Sequence, residues 1–176
     1  GDLDVWARAL VIADARVDTS LDAQLDKYAG LQGDEPNAAL LRLVAERAAS
    51  ADDTKRAVAA WSTLRDVDTA ALEPYEALEA LHREGDDLDQ VAAVLESRLG
   101  AKIADDEREI TWLRLATLHA DERTSRQDAI DVLTRGLKEL PSSELLWASR
   151  IELAEADPAD ARAVLERPSQ AQRAVV

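Results

Sequence analysis

The stretch ITWLRLATLHADERTSRQDAIDVLTRGLKELP, residues 110–141, predicts two helices joined by a short turn. Apolar or small side chains recur through it three or four positions apart, which is the spacing that places them on one face of a helix. The polar run ADERTS at 120–125 supplies turn and cap residues, and Pro141 marks the end of the second helix. We therefore expect a helical hairpin here.

The same helical period recurs along most of the chain, and no stretch alternates as a strand would. Leu41, Val44 and Ala48 form one stripe of this kind, and Ala57 and Trp61 belong to another. Turn-forming residues interrupt the pattern at 30–37, 50–54, 65–74, 83–87, 100–106, 120–125, 140–143 and 156–160. Counting between these breaks predicts about ten helices of roughly 10–16 residues, and short loops imply that neighbouring helices are antiparallel.

Within 110–141 the residue spacing resembles that of the tetratricopeptide repeat, a 34-residue helix-turn-helix unit with the pattern W-x2-L-G-x2-Y, then A-x3-F, then P. The corresponding positions here are Trp112, Leu115, Ala116, His119, Ala129, Leu133 and Pro141. Three of them depart from the pattern, since Ala116 replaces the Gly, His119 the Tyr and Leu133 the Phe. The turn carries one extra residue.

The same frame fits other parts of the chain. Leu41 and Tyr75 are 34 residues apart, and Trp112 and Trp147 are 35 apart. The 37 residues between Tyr75 and Trp112 indicate a longer loop around 100–106. The match is good over 36–167 and poor over 3–30. The resemblance implies an all-α fold, a right-handed α-α superhelix (solenoid) of about five antiparallel helical hairpins. We expect one tandem-repeat domain over 1–176, a segment of a larger protein, with units at roughly 3–33, 36–69, 72–103, 107–141 and 144–170.

Packing explains the residue types in this frame. Two antiparallel helices approach closely only where side chains are small, which suits Ala45 and Ala116, while large side chains such as Trp112 fill the space between hairpins. We therefore expect Trp61, Trp112 and Trp147 in the interior rather than in a ligand-stacking site.

The last unit also resembles the half-a-tetratricopeptide variant, which favours Trp in its first helix. Arg150 stands where that variant expects a second aromatic residue. The variant is associated with RNA-processing scaffolds, so an adaptor in such an assembly is a third functional hypothesis. It would need a basic patch, which the sequence does not show.

Composition excludes several classes of function. The 176 residues carry a formal net charge of −15, which disfavours nucleic-acid binding because that affinity depends on Lys and Arg. The same acidity has a simpler explanation in solubility. The sequence contains no Cys, so it has no disulfide or thiolate metal site. No apolar run is long enough to cross a membrane and no export signal is visible, so we expect no membrane partner and a cytoplasmic location.

Catalytic and metal sites are not expected. His82 and His119 occupy the same position in successive units, but equivalent positions should lie about 8–10 Å apart or more, too far for shared zinc ligation. The acidic clusters at 86–87 and 105–107 lie where helices begin, where acids act as caps. No nucleophile or phosphate-binding motif is present. We therefore expect a non-catalytic protein with no cofactor and no metal.

The leading hypothesis is a protein-protein interaction scaffold that binds its partner on the concave face of the repeats. The residues expected on that face are Arg42, Glu46, Glu73, Glu76, Arg83, Glu84, Ile110, Leu113, Thr117, Asp121, Glu152 and Glu155. Acids outnumber bases there seven to two, so we expect a Lys/Arg-rich extended or helical segment with apolar anchors at Ile110 and Leu113. A solvated acidic face without a ligand is the alternative.

A second functional hypothesis, from another class, is a structural or oligomerising spacer. The final predicted helix, around 161–165, has no hairpin after it in this sequence, so self-association through the end of the array is expected under that hypothesis. The chaperone-tail clamp of some tetratricopeptide proteins needs paired Lys and Asn. Asn37 is the only Asn, so that activity is not carried over.

Overall fold

The computed structural model describes residues 19–31 and 36–155, and every regular element in this part of the chain is helical. The elements are α1 (Thr19–Ala29), α2 (Ala38–Ser50), α3 (Thr54–Val67), α4 (Glu73–Glu84), α5 (Leu88–Gly100), α6 (Asp105–Thr117), a π-helical turn (Leu118–Glu122), α7 (Arg126–Glu139) and α8 (Glu144–Glu155). The all-α prediction is confirmed for the described residues. The helix ends between Ala29 and Glu144 lie within or next to the predicted breaks, except that α6 ends at Thr117 and the π-helical turn leads from it into the break at 120–125.

Helices that follow one another in the sequence pack together. In the first 87 residues α2 packs against α3 and α3 against α4, and from residue 88 onward α6 packs against α7 and α7 against α8. Because the connecting turns are short, these neighbours run antiparallel, as the hairpin prediction requires. The chain forms two compact units, Gly1–Asp87 and Leu88–Val176, and the division falls within the predicted hairpin at 72–103.

The first unit has a core of small and medium-sized side chains. Helix α2 buries one face and α3 buries another, in the stripes that the helical period predicts. The buried residues of this pair are Leu40, Leu41, Val44, Ala45, Ala48, Ala57, Ala60, Trp61 and Leu64. Five of these nine are small or β-branched, which permits the close packing of α2 and α3.

Ion pairs attach α1 to this hairpin. Arg56 on α3 donates to the Asp26 carboxylate at 2.7 Å, and it lies 3.2 Å from Asp22. Arg47 on α2 donates to Asp22 at 2.9 Å. Both arginines are about four-fifths buried, so these contacts are screened less than surface pairs would be. Leu25 and Ala29 complete the attachment by burying the apolar face of α1.

Two turns of the first unit have the same backbone geometry at an offset of 34 residues. Asp52 and Asp86 adopt positive φ angles of 56° and 55°. In each turn the next residue donates its N–H to a carbonyl five residues earlier, and these bonds run from Asp53 to Ala48 and from Asp87 to His82, both at 2.9 Å. This is a Schellman-type helix end. Its recurrence gives the 34-residue period a structural basis.

The second unit is organised around Trp112. Its ring is 2% exposed and lies in an apolar cluster with residues of α5, α6, α7 and α8, including Leu95, Leu133 and Leu146. The indole Nε1 donates to Glu139 at 3.4 Å, and the guanidinium of Arg135 lies 5.0 Å from the ring centroid. Trp112 thus occupies the interior position that the repeat frame predicts.

Gly136 on α7 is the point of closest approach in this cluster. A Cβ atom at this position would lie 2.9 Å from Cγ of Trp112 and 3.1 Å from Cδ1 of Leu146. The first contact is shorter than van der Waals packing allows and is made with a ring atom, whereas the second would be relieved by a shift of the Leu146 methyl of a few tenths of an ångström. A glycine inside a helix is therefore required by the tryptophan.

The turn between α6 and α7 absorbs the extra residue noted in the sequence. The Ser125 N–H donates to the His119 carbonyl at 2.8 Å, six residues back rather than five. The additional residue is accommodated by the π-helical turn, which widens the helix locally. Thr124 takes the positive-φ position, at 52°, which a β-branched residue adopts only with strain.

The register of the last described helix differs from prediction. Leu146 is fully buried, whereas Trp147 is only half-buried, so the interior placement of Trp147 is wrong by one residue. Arg150 is 6% exposed, with its guanidinium 5.8 Å from the Trp147 ring centroid. A cation stacked on the ring thus stands where the repeat variant expects an aromatic side chain. The predictions for 3–18 and 156–170 lie outside the described residues.

The close approach at Gly136 can be tested by substitution. Gly136→Ala should destabilise the chain by about 1–3 kcal/mol through overpacking, although alanine is the better helix former by about 1 kcal/mol. Gly100→Ala is the matched control, because a Cβ there meets nothing within 4 Å. That variant should unfold at the same urea concentration as the original chain or slightly above it. Equal behaviour of the two variants would contradict the packing assigned to Trp112.

Strain at Thr124 gives a second prediction. Thr124→Gly should raise the free energy of unfolding by roughly 0.5–1.5 kcal/mol, because glycine adopts positive φ without a steric cost. Thr124→Ala keeps the strained Cβ and serves as the control. Thermal denaturation followed by circular dichroism would measure both. A lower melting temperature for the glycine variant would show that the threonine side chain stabilises the turn.

Candidate binding groove

The twelve residues predicted for a concave face divide equally between the two units. In the first unit, Arg42 on α2 and Glu73 on α4 form an ion pair at 2.6 Å, and this hydrogen bond raises the pKa of the arginine above its usual value. Both side chains are nearly half-exposed, so the pair contributes little to stability. The two charges nevertheless neutralise each other and are not available to a ligand.

Glu46 lies in a different place from the other predicted residues of the first unit. It lines an open cavity of about 480 Å³ together with Arg47 and Ser50. Asp22 and Arg56, which form an ion pair, line the same cavity. The other charged groups in this cavity, Asp22, Arg47 and Arg56, are paired with one another, whereas Glu46 has no ion pair among the described residues. The cavity is therefore the margin of the α1 attachment.

The remaining predicted residues of the first unit lie on α4. Glu76 and Glu84 are exposed, and neither makes an ion pair with the described residues. Arg83 donates to Glu79 at 3.2 Å. Glu79 is 5% exposed, a buried carboxylate at the position where Ala116 stands in the next unit, and it is not among the residues predicted for the concave face. The sequence could have indicated this residue, because an acidic side chain stands at a position where the repeat pattern has a small one.

The second unit brings four of its predicted residues together. Leu113, Thr117 and Asp121 from α6 and the π-helical turn line one open cavity of about 200 Å³ with Glu152 from α8. The other lining residues are Ala116, Ala120, Leu133, Ser149 and Leu153. We call this cavity and its continuation along α6 and α8 the groove. Ile110 lies outside the cavity, and the Glu155 side chain lies outside the described residues.

Helix periodicity explains why these side chains converge. On α6 the groove residues Leu113, Thr117 and Asp121 are four positions apart, which keeps them on one face. Because α7 runs antiparallel to both α6 and α8, these two helices run parallel and contact each other. Their carboxyl-terminal halves therefore meet, and Leu133 of α7 lies at the bottom of the cavity.

The two carboxylates of the groove have no ion-pair partner among the described residues. Neither Asp121 nor Glu152 forms an ion pair or hydrogen bond with any residue that the structure describes, and both are exposed. Asp121 lies in the π-helical turn that ends α6, where the aligned peptide dipoles carry partial negative charge. This end of the groove is thus an electrostatic site for a cation.

Two large aliphatic side chains are exposed near the amino-terminal ends of α6 and α8. Ile110 is 54% exposed and Leu145 is 55% exposed, and neither lines the cavity. By helix periodicity Ile110 shares a face with Leu113 and Thr117, and Leu145 shares one with Ser149 and Glu152, so the groove extends toward them. The two residues are 35 positions apart, the offset of Trp112 and Trp147 in the sequence. The sequence prediction included Ile110 and missed Leu145, although this offset could have found it.

Acidic residues also lie at the amino-terminal ends of α6 and α8, but their electrostatic surroundings differ from those of Asp121 and Glu152. Asp105, Asp106 and Glu144 are in the first turns of α6 and α8, where the helix dipole is positive. Asp106 accepts a hydrogen bond from the N–H of Glu107 at 2.9 Å, and Glu109 accepts one from the hydroxyl of Ser143. The acids at 105–107 lie in the first turn of α6 as predicted, but the N-cap residue is Ala104 and no side-chain cap hydrogen bond is formed, so the prediction that they act as caps is wrong.

The two histidines are placed separately, His82 on α4 in the first unit and His119 in the π-helical turn of the second. His119 is mostly buried, with Nδ1 3.9 Å from the Asp128 carboxylate. Among the described residues no group of three or more His, Cys, Asp or Glu could hold a metal ion. Within the same residues no helix is long and apolar enough to cross a membrane.

Comparison with known proteins gives a likeness in structure only. No family model matches the chain, and no curated protein matches it in sequence. Ten chains of solved structures are similar to it. One of them, described as "Crystal structure of MamA protein", has 12% sequence identity and a TM-score of 0.48, over 93% of this chain and 84% of that chain. A likeness of this extent carries no functional information.

The electrostatic difference between the two ends of the groove predicts opposite effects on stability. Asp121→Asn should raise the free energy of unfolding by a few tenths of a kcal/mol, because it removes a charge that the helix dipole opposes. Glu144→Gln should lower it by a similar amount. Urea denaturation at low ionic strength measures these differences, and 1 M salt should remove them. The same sign for both variants would contradict this assignment.

Proposed function

We propose that this chain is a non-catalytic protein-interaction module built from tetratricopeptide-like helical hairpins. We further propose that its groove binds a segment of a partner protein that carries a Lys or Arg and an apolar residue. The single observation that carries this proposal is the groove itself. Two carboxylates without an ion pair in the described residues stand beside an apolar floor, and two exposed aliphatic side chains continue it.

The repeat architecture supports the first part of the proposal. The Schellman-type turns at Asp52 and Asp86 recur after 34 residues, the length of one tetratricopeptide unit. Ala45 and Ala116 are both buried where that pattern has its small residue. Arrays of this kind commonly present extended binding surfaces, because each hairpin adds one helix to the same face.

The chemistry of the groove supports the second part. A cationic side chain would neutralise Asp121 and Glu152 without displacing any existing partner in the described structure. An apolar side chain would cover Leu113 and Leu153, which are only partly buried. Charge complementarity would steer the encounter, and burial of the apolar contacts would supply most of the affinity.

A peptide-binding measurement tests this function. The probe is a fluorescein-labelled peptide with alternating Lys and Leu residues, titrated with the full chain and followed by fluorescence anisotropy. The double variant Asp121→Lys with Glu152→Lys should weaken binding about tenfold or more, because it replaces attraction by repulsion. Rising salt should weaken binding to the original chain.

The control variant is Glu76→Lys with Glu84→Lys in the first unit. It makes the same change in net charge at two exposed carboxylates that lie outside the groove. We expect a change of less than about threefold, because only long-range electrostatics is altered. Equal loss in both double variants would mean that the peptide responds to net charge alone. Binding to no peptide at all would favour the spacer hypothesis.

A further inference from the structure

We infer that the groove is polarised, so that it binds an extended partner segment with its cationic residue at Asp121 and Glu152 and a large apolar residue at Ile110 and Leu145. This inference rests on the proposed function and adds the arrangement of the ligand. It fixes which end of the groove holds which residue and how far apart the two residues stand.

Both ends of the groove carry acidic residues, which would favour a partner segment with a cation at each end. The amino-terminal acids, however, are already compensated by the positive helix dipole, and Asp106 and Glu109 accept hydrogen bonds from the chain itself. Asp121 and Glu152 have neither kind of compensation within the described residues. A single cation therefore gains most at this end, where two carboxylates without a partner among the described residues lie beside the negative dipole end of α6.

The apolar residue of the partner belongs at the other end of the groove. Ile110 and Leu145 leave more than half of their surfaces exposed, near the amino-terminal ends of two parallel helices that contact each other. Covering two large aliphatic side chains removes apolar surface from water, which is favourable by about 25 cal/mol per Å². An exposed pair of this kind on a binding face is typical of an interaction site.

The helices set the separation of the two residues. Ile110 and Asp121 are 11 residues apart, which corresponds to about 16 Å along α6. An extended chain covers this distance in about five residues at roughly 3.3 Å each. A helical segment would need about 11 residues for the same distance at 1.5 Å per residue, so a preferred separation of five identifies the extended form.

The experiment uses peptides that contain one Lys and one Leu in a Gly/Ser background, with the two residues two, five or nine positions apart and in both chain directions. Anisotropy titration of the full chain should give the tightest binding at a separation of five, by about fivefold or more over the other separations. Asp121→Lys with Glu152→Lys should abolish this preference, and replacing the peptide Lys by Glu should restore binding to that variant.

The matched control is Asp105→Lys with Glu144→Lys, which makes the same charge change at the other end of the groove. It should weaken binding less than about threefold, and circular dichroism confirms that both variants fold. If neither variant folds, Asp121→Asn with Glu152→Gln and Asp105→Asn with Glu144→Gln replace them, with the same ranking expected.

Several results would overturn the inference. Equal loss at the two ends, or binding that does not depend on the separation, would refute polarised binding while leaving the proposed function intact. Absence of binding to every peptide would refute both. A concentration-dependent dimer in analytical ultracentrifugation, lost in Asp121→Lys with Glu152→Lys, would show that a second copy of this chain occupies the groove, and would also refute the inference.

Discussion

The contact of the Trp112 ring with the backbone of Gly136 is the constraint on which the second unit depends. It holds α7 close to α6, and because Leu146 packs against the same glycine, it also sets the position of α8. The groove lies between α6 and α8, so its width follows from a contact made on the buried side of the same helices. A larger residue at position 136 would change the groove without touching any residue that lines it.

The connectivity of the hairpins determines the direction of the helix dipoles along that groove. Each first helix is followed by an antiparallel second helix, so successive first helices run parallel and their dipoles point the same way. Acids placed at equivalent positions then lie together at like ends. At the amino-terminal ends such acids stabilise the helices, and at the carboxyl-terminal ends they oppose the dipoles. An acidic side chain thus stabilises a helix at its amino-terminal end and is a candidate for ligand binding at its carboxyl-terminal end.

Much of this architecture could be predicted from the sequence, because helical period and turn residues are local signals. The bounds of α2 and α3 and the burial of Trp61 and Trp112 follow from them. Four predicted groove residues of the second unit also share one cavity. The register of α8 could not be predicted, since Leu146 and Trp147 both satisfy the period and only the space beside Gly136 favours the smaller side chain. The burial of Glu79 likewise depends on packing that no pattern of residue types records.

Net charge alone did not identify a binding site in a chain with 36 acidic residues. Asp22 and Asp26 are paired with arginines, Glu73 is paired with Arg42, and the acids at 105–107 lie in a first helical turn. These carboxylates have structural reasons to be where they are. Asp121 and Glu152 have none in the described residues, and Asp121 also opposes the dipole of its helix. A charge that costs stability and remains exposed beside an apolar floor indicates a ligand more strongly than any count of acids.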